Sequence, residues 1–308
     1  MTMRDAFFSQ LFDYAKDDPN IVVLTSDFSA PSFDRFRTEL SMQFINTGIS
    51  EQNTILIATG LAHSGKNVFV TSIAPFITMR CFEQTRLYAG DMNLKIKIVA
   101  VGAGFSYNTA GPTHHSVEDI ALMRTIPNMS IIMPSCNSQV EAYAKWCVTT
   151  QGPAYVRLDR MMIGELYNND FVVESNGFRI LKKSENVMIV SSGYMVHTAM
   201  LAAEALSESG IEVGVIDLFK LPADENALLS VLCESKQLVT VEEHIYAGGV
   251  GAYLCEILVD GSYNMPLKRF AMDFSKGFYH RYGTREEMHD ACGVGMKHIV
   301  NFIHACER

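Results

Sequence analysis

The stretch "NTGISEQN", residues 46–53, stands between two apolar runs, "MQFI" (42–45) and "TILIATGLAHSG" (54–65). The second run continues a helix predicted over 51–64 and ended by Gly65, so Glu51 falls in the first helical turn. A carboxylate there is favoured by the helix dipole alone, which is one reading of it. The other is that Glu51 handles a proton at the mouth of a site. Which holds depends on what the rest of the chain brings to the same junction.

Short apolar runs alternate with helical patterns on both sides of that stretch. "IVVLTSD" (21–27), "NVFVTS" (67–72), "KIVAVGAG" (97–104), "SIIMPS" (130–135) and "AYVRLDR" (154–160) read as buried parallel strands leading into polar or glycine-rich loops. A helix over 138–149 opens on Ser138-x-x-Glu141, a capping-box spacing. Ser116-x-x-Asp119 opens a shorter one that must stop before Pro127. From 161 to 186 the pattern weakens into a connector with some extended structure. A second alternation then begins: "VMIVSSG" (187–193), a helix over 194–209, "IEVGVIDL" (211–218) and a helix over 224–235. "QLVTVEEH" (237–244), a helix after Gly251, "KRFAMDF" (268–274) and a C-terminal helix complete it. The expectation is an α/β fold of two open, mostly parallel-sheet domains, 1–165 and 187–308, joined by a connector over 166–186.

The 308 residues are 48% hydrophobic and 19% charged, a well-packed globule rather than a disordered chain. A net charge of −9 gives no electrostatic reason to seek nucleic acid or an anionic membrane. The opening "MTMRDAFFSQLFDYAKDD" interrupts its apolar residues with charge, so no leader is expected. No apolar run nears the ~20 residues that span a bilayer. Seven cysteines, an odd number without C-x-x-C, fit a reducing compartment, and the cytoplasm is the expected location.

Several motifs fail. Gly102-x-Gly104 meets Tyr107 and Gly249-x-Gly251 meets Leu254, so neither completes a dinucleotide fingerprint. His114 and His115 before Glu118 and Asp119 suggest a metal at first sight, but adjacent residues seldom turn to one ion, and no metal site is expected in this chain.

Open α/β domains place chemistry beyond the carboxyl ends of their strands. That rule selects Asp27 onward, "GISEQN", "SIAPFITMRCFEQTR" (72–86), "AGPTHH" (110–115) and "RLDR" (157–160). Alone, each has an ordinary structural explanation: Phe76 and Phe82 as core, His114 as a backbone-bonded loop residue, Arg160 as a solvated strand-end charge. Together their order is specific. "TGISEQN", "FITMRCFEQ", "AGPTHHSVEDIALMRTIPNM" and "GPAYVRLDR" resemble the pyrimidine-binding domain of the transketolase family, which includes 1-deoxyxylulose-5-phosphate synthase. "SSGYMVHTAMLAAEALSESGIEVGVIDL" and "VTVEEHIYAGGVGAYL" resemble its C-terminal domain.

The resemblance implies thiamine diphosphate. In that family a glutamic acid bonded to the aminopyrimidine ring nitrogen favours the tautomer whose neighbouring nitrogen deprotonates the thiazolium carbon. Glu51 stands at that position. Phe76 matches the aromatic that lies on the pyrimidine face, with Phe82 a second candidate because the segment is one residue longer than in some relatives. His114, rather than His115, matches the histidine over the reacting carbonyl. Arg160 matches the arginine that grips a substrate phosphate, with Arg80 also on the substrate side. Asp27 is assigned to the cofactor interface and Ser32 to the phosphate pocket.

Two departures refine the expectation. The family's N-terminal domain, with its GDG…N motif for magnesium and the diphosphate, has no counterpart here. The resemblance therefore implies a split enzyme in which a partner N-terminal subunit holds Mg2+ and the diphosphate, in an α2β2 assembly. Ala110 also replaces the aspartate usual before "GPTH", so the ordinary pentose-phosphate donors do not follow, although (phospho)sugars remain the substrate class. The competing readings are the β subunit of the first component of a 2-oxoacid dehydrogenase, and a non-catalytic partner subunit.

Overall fold

The computed structural model describes residues 1–167, 171–275 and 277–306. The first unit runs α1 Met3–Ala15, β1 Ile21–Thr25, α2 Ser32–Glu39, β2 Phe44–Asn46, α3 Glu51–His63, β3 Asn67–Ile73, α4 Ala74–Thr78 and α5 Phe82–Gln84. It continues through β4 Ile96–Val101, α6 Asp119–Arg124, β5 Ser130–Ile132, α7 Asn137–Thr149 and β6 Ala154–Leu158. The second comprises β7 Phe178–Lys182, β8 Val187–Ser191, α8 Met195–Ser207, β9 Val213–Leu218, β10 Lys220–Leu221, α9 Glu225–Leu232 and β11 Gln237–Ile245. Its last elements are α10 Val250–Asp260, β12 Leu267–Met272, α11 Arg285–Cys292 and α12 Met296–Cys306.

Two sheets result, ordered β10-β5-β6-β4-β3-β1-β2 and β12-β11-β8-β9-β7. All pairings are parallel except those of β10 with β5 and β7 with β9. The α/β expectation therefore holds, with one antiparallel edge strand on each sheet. Central strands buried on both faces explain why they read as unbroken apolar runs. The extended structure expected within 166–186 is β7, which joins the second sheet; residues 168–170 of that connector lie outside the described residues. β10 crosses back from the second unit to extend the first sheet. One core cluster accordingly runs from Val70 and Ile98 to Leu238 and Leu254. A second packs the α1 aromatics Phe7, Phe8 and Phe12 against Phe33 and Phe36.

Neither predicted cap forms. The N-cap of α7 is Cys136, and Ser138 instead donates to Glu165 at 3.0 Å. α6 begins at Asp119, whose carboxylate accepts from Arg157 Nε at 2.7 Å and the Tyr155 hydroxyl at 2.5 Å. In both places a partner distant in sequence displaces the local one, and at Asp119 the carboxylate is fully buried and needs the stronger donors that Arg157 and Tyr155 supply. All seven cysteines carry free thiols. No helix among the described residues is long and apolar enough to cross a membrane.

Candidate active site

The carboxyl ends of β1, β2, β3, β4 and β6 open on one edge of the first sheet, and the selected segments follow them directly. β2 ends at Asn46, and a tight turn through Gly48 starts α3 at Glu51. Below the carboxylate, Thr54 of the same helix bonds the hydroxyls of Thr47 and Ser26 at 2.6 and 2.9 Å, tying the helix start to both strand ends. Glu51 is only 5% exposed, at the floor of a cleft of about 420 Å³ lined by Ile49, Ser50, Gln52, Asn53 and Arg80. Arg80 Nη1 donates to both its oxygens at 3.3 Å, from a side chain half exposed to solvent. The Arg80 guanidinium also lies 3.9 Å over the ring of Phe76, which α4 presents after β3. Gln52 holds the Arg80 carbonyl at 2.9 Å.

The loop after β4 completes the wall. The His114 ring meets the edge of Phe76 at 5.1 Å and lies 5.6 Å from Tyr107. Its Nδ1 faces the Thr113 hydroxyl at 3.0 Å. Partial burial, and then the charge of Arg80, hold the imidazole below its ordinary pKa, so it is neutral at neutral pH. Arg160, just past β6, lies 4.7 Å over the other side of this loop, on Tyr107. Burial pushes the Tyr107 phenol up against the pull of Arg160 and Arg4. Gly102, at φ +113°, has to be glycine, since a Cβ there would stand 2.5 Å from the Tyr107 ring.

Glu51, Arg80, Phe76, His114 and Arg160 thus form one continuous surface, joined through Tyr107. The remaining assignments sit differently. Phe82 packs against the main core cluster, whereas Phe76 lies beneath the Arg80 guanidinium. Asp27, at φ 55°, exchanges hydrogen bonds with Asn46, its backbone donating to Asn46 Oδ1 and its Oδ1 accepting from Asn46 Nδ2, each at 3.1 Å. Ser32 is buried and donates to Asp5 Oδ1 at 2.9 Å. His115 turns inward, 4% exposed and edge-on to Phe105, and burial pushes it down to about 4.

Two residues of this surface carry no signal in the sequence. Tyr107 sits in "GFSYNTA" without a motif of its own. Arg4 lies in the N-terminal helix, donating from Nη1 to the Ser29 carbonyl at 3.1 Å while its buried Nε lacks a partner. Only folding brings α1 beside the β4 loop. Among the described residues no group of three or more His, Cys, Asp or Glu side chains is placed to hold a metal ion.

Comparison with known proteins shows the family. Residues 1–165 match the family model "Transketolase, pyrimidine binding domain", and residues 177–299 match "Transketolase, C-terminal domain". This chain belongs to the transketolase family. It is 36% identical to one subunit of an apulose-4-phosphate transketolase from Phocaeicola vulgatus, with 83% of each chain covered. It is 30% identical to a 6-deoxy-6-sulfo-D-fructose transketolase subunit of Clostridium sp., over 98% of this chain and 93% of that one. A solved structure described as a split gene transketolase, inactive beta4 tetramer, superposes with a TM-score of 0.86 at 30% identity, covering 99% and 97% of the two chains. These matches do not favour the 2-oxoacid dehydrogenase alternative.

A bound pyrimidine needs a flat apolar face and a carboxyl group at its rim. Phe76 and Glu51 meet both needs. The Arg80 guanidinium lies over the Phe76 ring and donates to Glu51, so one planar group already meets both residues at once. In this transketolase-family chain the residues present fit the pyrimidine end of thiamine diphosphate.

Proposed function

We propose that this chain is the pyrimidine-site subunit of a two-component, thiamine-diphosphate-dependent transketolase that moves a two-carbon ketol unit between anionic sugars. The observation that carries the reading is the buried Glu51 carboxylate and the nearby Phe76 ring, bridged by one half-exposed cation, Arg80. Bound thiamine diphosphate supplies a thiazolium carbon able to take up and release the ketol fragment. Glu51 shares a proton with the pyrimidine ring nitrogen, and its burial keeps that proton from exchanging freely with water. Phe76 holds the ring by stacking, a contact that leaves the ring nitrogens to Glu51. Arg80 gives up its place over Phe76 when the ring is seated and turns toward the substrate side of the cleft.

His114, neutral and bordering Phe76, is placed to give or take a proton at the sugar oxygen on the reacting carbon. Arg160, which lies over Tyr107, holds the anionic end of the sugar, with the positive charge of Arg4 near the same phenol adding to the attraction. The sugars named for the two relatives, apulose-4-phosphate and 6-deoxy-6-sulfo-D-fructose, both carry such a group. Mg2+ and the diphosphate belong to a partner N-terminal subunit, in an α2β2 assembly acting in the cytoplasm.

The test is co-expression with an N-terminal transketolase subunit and assay of ketol transfer with thiamine diphosphate and Mg2+. Activity is expected only when both subunits are present. Full turnover by this chain alone would overturn the two-subunit reading, and an undiminished Glu51→Gln complex would overturn the role of Glu51.

A further inference from the structure

Behind the substrate-side loop lies a buried ionic cluster that the proposed chemistry does not use. Arg285, the first residue of α11, is 2% exposed. Its Nε and Nη2 fork Glu243 of β11 at 2.8 and 2.5 Å, and its Nη1 donates to Asp159 Oδ2 at 2.6 Å. The guanidinium face rests 3.7 Å over Tyr194, and His289 reaches Glu243 Oε1 at 2.6 Å. Burying these ions costs several kcal/mol each before pairing, and apolar residues of similar volume stabilise a core at least as well. Stability alone is therefore a weak reason for the cluster.

Where it attaches is informative. Asp159 immediately precedes Arg160, and its Oδ1 accepts from the Met161 backbone at 2.7 Å, so one carboxylate brackets Arg160 on both sides. Glu243 fills the space beside Gly104, where a Cβ would stand 1.8 Å from Oε2; at φ +55° that position suits glycine. Asn108 donates to the Gly283 carbonyl at 2.6 Å, and Gly111 faces Tyr282. The loop carrying Tyr107 and His114, and the strand end carrying Arg160, are thus both seated on residues 282–289 and Glu243 of the C-terminal domain.

We propose that Arg285 is a positioning residue: by clamping Asp159 to Glu243 it fixes Arg160 and the 104–114 loop in the geometry that grips the anionic end of the sugar. The C-terminal domain then sets substrate affinity without touching substrate. The proposal rests on the transketolase reading, in which Arg160 meets that anionic group.

The two-subunit complex carrying Arg285→Lys tests it. Lysine keeps the buried positive charge but reaches one carboxylate at a time. With glyceraldehyde 3-phosphate as acceptor, KM is expected to rise about tenfold with kcat nearly unchanged, while KM for unphosphorylated glyceraldehyde stays put. In an Arg160→Ala background the same substitution should add nothing. Equal rises for both acceptors, or an effect undiminished in that background, would make the residue merely structural and end the proposal. An Arg160→Ala complex with unchanged KM for the phosphorylated acceptor would overturn the anion-grip reading and the clamp with it. A raised KM there beside an unaffected Arg285→Lys would overturn the clamp alone. If Arg285→Lys fails to assemble, Asn108→Ala loosens the same loop without disturbing a buried charge. It should raise KM about threefold for the phosphorylated acceptor only, and no selective rise would count against the proposal.

Discussion

Two arginine–carboxylate contacts in this chain use the same chemical groups and differ in nearly everything else. At Glu51 the carboxylate is buried, but Arg80 reaches it at 3.3 Å from a half-exposed side chain that also leans on Phe76. At Glu243 the arginine forks the carboxylate at 2.5 and 2.8 Å, spans to Asp159 and is enclosed on every side. The first partner is easily displaced and the second is not. A buried carboxylate whose cation swings free is suited to exchanging that cation for a ligand, whereas one locked into a fork holds two domains in register.

That contrast can be broken by experiment. The largest effect is expected at Glu51→Gln, which should lower ketol transfer in the assembled complex about a thousandfold. Its stability should move by less than about 1 kcal/mol, since the tie it loses is to a half-exposed arginine. Steady-state kinetics beside urea unfolding reads both quantities, and a stability loss outweighing the kinetic one would place Glu51 in the structural class. Glu243→Gln should weigh the two the other way, costing about 3–5 kcal/mol of unfolding free energy, with the kinetic loss confined to KM for the anionic substrate. Arg285 and His289 lose a buried charged partner, and Arg285 keeps only Asp159. Stability within about 1 kcal/mol of the parent chain would show that the cluster does not hold the domains together.

Smaller effects follow from the histidines of the two regions. His244 is fully buried in the second unit, donating from Nδ1 to the Ile245 carbonyl, and burial pushes it down to about 4. Unfolded, it titrates near ~6.5. Between those values the unfolded chain binds more protons than the folded one, so this histidine's contribution is complete at neutral pH and is lost as pH falls. It amounts to ~3 kcal/mol, and His244→Asn should flatten the pH dependence of unfolding between about pH 4 and 6.5 by roughly one proton. An unchanged slope would mean the group is not held neutral. The smallest effect is expected for Arg80→Ala. Removing that cation relieves the second cause of the lowered His114 pKa, so the acidic limb of kcat/KM should move to higher pH. A limb that stays in place or moves down would separate His114 from Arg80.

Much of the site was legible before folding because it follows strand ends. Glu51, Phe76 and Arg160 each come shortly after an apolar run and His114 lies on the loop that follows one, and an open parallel sheet brings all such points to one edge. The choice between Phe76 and Phe82 was not legible, since nothing in the intervening residues separates α4 from α5. In the fold Phe82 packs on the core and Phe76 lies under the Arg80 guanidinium. The helix openings read at Ser116 and Ser138 failed for a related reason: Arg157 and Tyr155 claim the Asp119 carboxylate, and Glu165 takes the Ser138 hydroxyl, all from far away in sequence.

By itself the order of apolar runs and turns determined two parallel α/β units and the line of polar residues at their strand ends, because hydrophobic periodicity and helix stops are local properties. The tertiary structure alone decided that Arg160 lies over Tyr107, that Arg80 covers Phe76, that β10 crosses to the first sheet and that Arg285 binds Asp159 across 126 residues. Those contacts join groups far apart in sequence that meet only when the chain has folded. No window of the sequence holds that information.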